Sequence, residues 1–306
     1  MTVHDRLTVD ALLAVFDEHL SRTRGVCPEV RHNYARFVSA FLETVSGDDL
    51  VDPAGICARD VVEFVHAATR RYRPATVQLA ASSLRSFFRF LRAEGLRADR
   101  LEDAVPVVPH RRLTGLPRHL DAPRFARLIA SLEASSPLGM RDRAILLCVA
   151  RLGLRASEVA RLQLEDIDWH NATVRVPTRK TGHGALLPLP HELGAALAAY
   201  LQRGRPPTPA RQVFVLQRQG AGAPISRQVV GDAVARALRN AGMTAPMRGA
   251  NLLRHSLATG LLTHGATLKE IADLFGHRSL VTTSIYAKVD VAALREAALP
   301  WPQVTP

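Results

Sequence analysis

The stretch Leu101–Arg118, LEDAVPVVPHRRLTGLPR, constrains this 306-residue chain more than any other. It holds Pro106, Pro109 and Pro117 together with Gly115 and the basic pair Arg111 and Arg112. Proline lacks an amide donor and fixes φ, so no helix or central strand runs through such a segment. The chain is therefore predicted to fold as two domains, residues 1–100 and 119–306, joined by an extended linker at 101–118. Each part is long enough to bury a core of its own.

Apolar residues before the break recur at helical spacing. Residues 8–20 and 29–45 read as amphipathic helices, the latter through Val30, Tyr34, Phe37, Phe41 and Leu42. Residues 61–70 form a third. Pro74 opens a fourth, striped by Val77, Leu84, Phe87, Phe88 and Leu91 and ended by Gly95. On its other side lie Arg85, Arg89 and Arg92, which together with Arg70, Arg71 and Arg73 form a candidate phosphate-gripping surface. After the break, helices are predicted at 122–134, 139–152 and 157–162. Short strands follow at Ile167–Trp169, Thr173–Val176 and Leu186–Leu189. Helices return at 190–203, 226–241, 250–264, 267–275 and 279–288, with a strand-like segment at Val213–Leu216. The fold class is mainly α with a small antiparallel β-sheet.

Charge separates the two parts. Residues 1–110 carry 14 basic and 15 acidic side chains, and residues 111–306 carry 26 and 13. A basic field confined to one domain points to a polyanion, with nucleic acid the default. No apolar run is long enough to span a membrane, and the opening MTVHDRLTVD lacks the apolar core of a signal peptide. Cys27, Cys57 and Cys148 are scattered and outside metal-ligand spacing, as are His255, His264 and His277. No metal or other cofactor is expected, and a reduced cytoplasmic setting fits. Arginine outnumbers lysine 37 to 3, the lysines being Lys180, Lys269 and Lys288. A lysine amine can be tuned to release a proton near neutral pH, whereas a guanidinium cannot.

Four segments carry chemistry: GLRASEV at Gly153–Val159, RKTG at Arg179–Gly182, NLLRHS at Asn251–Ser256, and LFGH at Leu274–His277 with Tyr286 nine residues on. Cleaving a phosphodiester without a metal requires cations on the non-bridging oxygens, and guanidinium groups suit this best. Arg155 and Arg254 are the candidates. A tyrosine phenolate is a nucleophile that stores the bond energy in a phosphoester, which points to Tyr286. Lys180 is a candidate acid for the departing 5′ oxygen, and His277 a further phosphate donor.

These segments, in this order, resemble the tyrosine recombinase (phage integrase) family. GLRASE resembles its first arginine box and RKTGH its lysine hairpin. LLRHSLAT resembles its second arginine box, and LFGHRSLVTTSIY its Leu-Gly-His box leading to the nucleophile. The resemblance spans the whole chain. It implies a helical, SAM-like core-binding domain followed by an α+β catalytic domain with a tail helix at 290–299. It assigns catalytic roles to Arg155, Lys180, Arg254, His277 and Tyr286, with Glu158 supporting the site from behind. The family has histidine three residues before the second arginine, and here that position is Asn251. Asparagine can donate to a phosphate but cannot accept a proton. His255, one helical turn further along, is a candidate supporting residue that could take over that role.

The implied reaction forms a 3′-phosphotyrosine and a free 5′-hydroxyl. The 5′-hydroxyl of a partner strand then attacks the linkage, and two rounds pass through a Holliday junction. The implied partner is double-stranded DNA, clamped between the domains, with a homotetramer acting on two sites. Arg71, Arg73, Arg85, Arg89 and Arg179 are candidate DNA contacts. With no room before residue 8 for a further DNA-binding domain, the compact Xer-like or mobile-element type fits best. Two alternatives remain open: relaxation of DNA in the manner of a type IB topoisomerase, and a catalytically impaired DNA-binding relative.

Overall fold

The structure, a computed structural model, describes residues 7–46, 50–109, 118–177, 184–247, 249–277 and 279–289. Of residues 7, 280, 281, 288 and 289 it describes the backbone alone. The chain separates into two compact units, Met1–Arg112 and Leu113–Pro306.

The first unit contains α1 (Val9–Arg24), α2 (Pro28–Val45), α3 (Ala58–Arg71) and α4 (Pro74–Ala93). Local chemistry sets their ends. The Thr8 hydroxyl accepts from the Ala11 amide, and Gly25 closes α1 in the left-handed region at φ 54°. Pro28 and Pro74 stand in the first turns of α2 and α4, where the missing amide costs nothing. The central element is α4, whose Val77, Leu84, Phe87, Phe88, Phe90 and Leu91 are all buried. Phe16 meets Phe87 edge-on at 5.4 Å between ring centroids, and Phe41 meets Phe88 at 5.8 Å. Such pairs add about 0.5–1.5 kcal/mol each beyond the area they bury. A two-residue pairing of β1 (Leu7–Thr8) with β2 (Leu50–Val51) ties the start of α1 to the chain before α3.

The segment predicted as an extended linker behaves differently at its start. Leu101–Ala104 is a 3₁₀ turn, and Leu101 and Val105 are buried in the first unit's core. The prolines begin only at Pro106, so the chain before them is free to pack. Residues 110–117 lie outside the described residues, as does the predicted tail helix at 290–299.

The second unit opens with α5 (Ala122–Ala130), α6 (Pro137–Leu152) and α7 (Ala156–Arg161). A three-stranded antiparallel sheet follows in the order β3 (Ile167–Asp168), β4 (Thr173–Val176), β5 (Ala185–Pro188). Its register pairs Ile167 with Val174 and Val174 with Leu187, placing all three on the core side. Then come α8 (His191–Ala199), a π-helical turn (Tyr200–Gly204), α9 (Arg227–Asn240), α10 (Asn251–Thr263) and α11 (Leu268–Phe275). The chain ends its described part with α12 (Leu280–Thr283) and a 3₁₀ turn (Tyr286–Val289). Residues 144–150 of α6 are all completely buried, the mark of a helix apolar on every side and surrounded by others. Its neighbours include α8, α9 and α10. Asp121, Ser136 and Thr267 cap α5, α6 and α11 through their side chains.

Two sequence expectations differ here. The strand-like Val213–Leu216 is a buried loop joined by an isolated bridge between Val215 and Pro224. The helix predicted at 279–288 is interrupted at Ser284–Ile285. No described helix is long and apolar enough to cross a membrane.

Candidate active site

The site forms where four parts of the second unit meet: the turn after α6, the first half of α10, the end of α11, and the 3₁₀ turn at Tyr286. Gly153 ends α6 at φ 62°, a conformation that L side chains rarely adopt. A Cβ at this position would also run into the Phe275 ring. The turn therefore needs glycine on two counts. It delivers Arg155 to the start of α7. There the Glu158 carboxylate accepts from the Arg155 amide at 2.9 Å and from its Nη1 at 2.7 Å. The Glu158 side chain is 2% exposed and that of Arg155 is 24% exposed, so a buried acid orients a guanidinium that still reaches solvent.

Arg254, on the second turn of α10, is buried. Its Nη1 donates to the Gly153 carbonyl. Its Nη2 donates to the Phe275 carbonyl at 2.9 Å and lies 3.2 Å from His277 Nε2. The guanidinium carbon stands 3.9 Å from the Phe275 ring centre, a close cation–π contact. One side chain thus ties together the turn after α6 and the end of α11. His277 leaves α11 through Gly276, which is left-handed at φ 59°. The Thr283 hydroxyl lies 2.7 Å from His277 Nδ1, fixing the ring in orientation.

Tyr286 is 2% exposed and packs with Ala258, Ile271 and Phe275. Its hydroxyl lies 2.8 Å from Nδ1 of His255. Burial pushes the Tyr286 phenol up to about 12, with Arg254 pulling the other way. His255 is lowered from its ordinary value, first by burial, then by the charges of Arg254 and His119. Both groups are therefore neutral near pH 7. The contact between them was not foreseen in the sequence, because the residues are 31 apart and belong to different elements.

Asn251 is exposed at the first position of α10. Lys180 and Arg179 fall between β4 and β5, outside the described residues. Arg71, Arg73 and Arg89 are exposed in the first unit. Arg85 is not the free surface cation expected: its Nη2 donates to the carbonyls of Val105 at 3.0 Å and Pro106 at 2.8 Å. Arg92 similarly pairs at 3.1 Å with Glu102, a buried acid. Among the described residues, no group of three or more His, Cys, Asp or Glu side chains is arranged to hold a metal ion.

Comparison with known proteins gives this architecture a class. Residues 118–292 match the phage integrase family, and residues 13–95 match the phage integrase N-terminal SAM-like domain. A putative integrase/recombinase, y4rA, of Sinorhizobium fredii is 37% identical over 300 residues, covering 98% of this chain and 73% of the relative. The tyrosine recombinase XerD of Mycobacterium tuberculosis is 35% identical over 298 residues, covering 91% and 93% of the two chains. Among solved structures, the XerH site-specific recombinase bound to palindromic difH substrate superposes with a TM-score of 0.72. It is 22% identical and aligned over 93% of this chain and 83% of that one. A lambda integrase dimer bound to a COC′ core site gives 0.68 at 19% identity, over 98% and 100%. The chain belongs to the phage integrase family and is a tyrosine-type site-specific recombinase, an enzyme that breaks and rejoins DNA.

Proposed function

We propose that this recombinase cleaves its DNA by attack of Tyr286 on the scissile phosphate, leaving a 3′-phosphotyrosine and a free 5′-hydroxyl. Arg155 and Arg254 neutralise the non-bridging oxygens, on which charge grows in the transition state. His277 adds a hydrogen bond to the same phosphate. Lys180 protonates the leaving 5′ oxygen. Glu158 holds Arg155 in position, and Asn251 donates to the phosphate. A strand from a second site reverses the step by attacking the phosphotyrosine with its own 5′-hydroxyl. Bonds of one kind are exchanged, so the reaction needs no external energy source.

The observation that carries this reading is the linkage of Gly153, Arg254, Phe275 and His277 by a single guanidinium, with Tyr286 bonded to the next residue of α10. It brings three of the four chemical segments to one place. Tyr286 is enclosed, so the scissile phosphate reaches its hydroxyl only once the surrounding side chains give way.

The substrate is double-stranded DNA, bound by both the helical core-binding domain and the catalytic domain. Arg71, Arg73, Arg89 and Arg179 grip phosphates. Two DNA sites are joined by a homotetramer, the assembly named for a lambda integrase of similar fold on a Holliday junction. The workplace is the cytoplasm, in keeping with free thiols at Cys27, Cys57 and Cys148.

The test is a nicked suicide duplex drawn from DNA flanking the native gene, in which the cleaved end is lost. A covalent protein–DNA adduct is expected with the native chain and none with Tyr286→Phe. An adduct that survives in Tyr286→Phe removes the nucleophile assignment. Strand exchange between two sites, rather than relaxation of supercoils by a lone protomer, separates recombination from the topoisomerase alternative.

A further inference from the structure

The second arginine box lacks a proton acceptor at its first position, since Asn251 has none to offer. Another acceptor stands close by. His255 follows Asn251 by one helical turn on the same face of α10. Its Nδ1 is 2.8 Å from the Tyr286 hydroxyl, and the two rings stand 5.6 Å apart at an interplanar angle of 56°. We infer that His255 is the general base of strand cleavage, taking the phenolic proton of Tyr286 in the role that Asn251 cannot fill. This rests on Tyr286 being the nucleophile.

The charges around the pair suit the task. The groups facing His255 are Arg254 on its own helix, His119 ahead of α5, and the Tyr286 hydroxyl from the 3₁₀ turn. Two are cationic or can become so, and with burial they keep the imidazole neutral and able to accept. Tyr286, with its phenol pushed up to about 12, holds its proton at pH 7 in all but roughly one molecule in 10⁵. Unassisted ionisation would therefore leave almost no nucleophile. In the neutral pair the phenol donates to Nδ1, and the single imidazole proton sits on Nε2.

The Tyr286 O–H bond breaks and its proton moves to Nδ1, giving an imidazolium. The phenolic electron pair forms the O–P bond while the P–O5′ bond breaks, and the 5′ oxygen receives a proton from Lys180. Rejoining runs the same transfers backward and resets both groups.

The experiment is single-turnover adduct formation on the nicked suicide duplex from about pH 5 to about pH 9. The native rate is expected to rise with pH and level off above a bend lying below the ordinary histidine value. His255→Gln keeps a hydrogen-bond acceptor but cannot take a proton. It is expected to be slower by about 10²-fold at pH 7, to lose the bend, and to close the gap as pH rises. A difluorotyrosine at position 286, being a stronger acid, should shrink the deficit of His255→Gln; a merely structural role would leave it unchanged. Asn251→His in the same background should restore part of the rate.

An unchanged rate and profile in His255→Gln overturns the inference. So does a faster rate, which would make the contact a restraint, or a deficit constant across pH and in the difluorotyrosine protein. If His255→Gln does not fold, the native chain decides: a bend that weakens with difluorotyrosine supports the base, and a featureless profile overturns it. An adduct in Tyr286→Phe would sink the nucleophile assignment itself, a result distinct from all of these.

Discussion

The two units of this chain use arginine in opposite ways. In the first, Arg85 braces the carbonyls of Val105 and Pro106, Arg97 braces those of Pro53 and Ile56, and Arg92 neutralises the buried Glu102. These guanidiniums hold a helical bundle whose core is packed with Phe16, Phe41, Phe87, Phe88 and Phe90. In the second, Arg254 also bonds backbone carbonyls, yet those carbonyls belong to the two segments that carry Arg155 and His277. Arg155 itself is held by Glu158 with part of its surface open. The same side chain is a brace in one unit and an organiser of chemistry in the other. Charge alone does not distinguish the roles; the identity of the bonded partner does.

The largest expected effect comes from removing the organiser. Arg254→Ala should slow adduct formation by about 10³-fold and leave two buried carbonyls unpaired. Arg254→Lys should rescue little, because an ammonium cannot span both carbonyls and a phosphate. Single-turnover kinetics with a thermal melt checks both parts. If Arg254→Ala lowered stability alone, the contrast between units would collapse.

Next is the aromatic core. Phe87→Ala should cost about 3–5 kcal/mol in denaturant unfolding, confined to the transition of the first unit. Alkaline stability follows in size. The phenol of Tyr286 titrates higher in the folded chain than in the unfolded one, so the folded state binds the extra proton. Stability should fall between about pH 10 and 12 by about 2–3 kcal/mol. His255 titrates lower when folded, so acid favours unfolding. Its contribution should be complete above the ordinary histidine value and be lost as pH falls toward the depressed one. Urea midpoints measured across pH, with Tyr286→Phe and His255→Gln as controls, read both trends.

The smallest effect tests the surface. Arg89→Ala should lower the salt slope of DNA binding by about 1 without changing the melt, whereas Arg85→Ala should change the melt and leave the slope alone. Equal behaviour of the two would erase the distinction between brace and phosphate contact.

Much of this was legible in the sequence, for local reasons. The helix predicted at 267–275 starts where Thr267 caps it, its side chain satisfying a free amide. Gly95, expected to end α4, follows its last turn in the left-handed region at φ 72°, which glycine adopts cheaply. The strand Thr173–Val176 is identical in prediction and structure, since alternation with a buried face fixes its register. What escaped was long-range. The β1–β2 pairing is too short to show a period. Val213–Leu216 is apolar enough for a strand, yet buries itself as a loop. Arg85 was one arginine of a helical stripe until the chain beyond Val105 folded back onto it. The meeting of His255 with Tyr286 depends on how α10 packs against the final turn, which neither segment encodes alone.

The most direct test of the central claim is to locate the DNA within the protein after cleavage. The adduct trapped on the suicide duplex would be digested with nuclease and protease, and the peptide carrying the nucleotide identified by mass spectrometry. The account predicts a single modified peptide with the phosphate on Tyr286. A phosphate on Tyr34, Tyr72 or Tyr200 would contradict it.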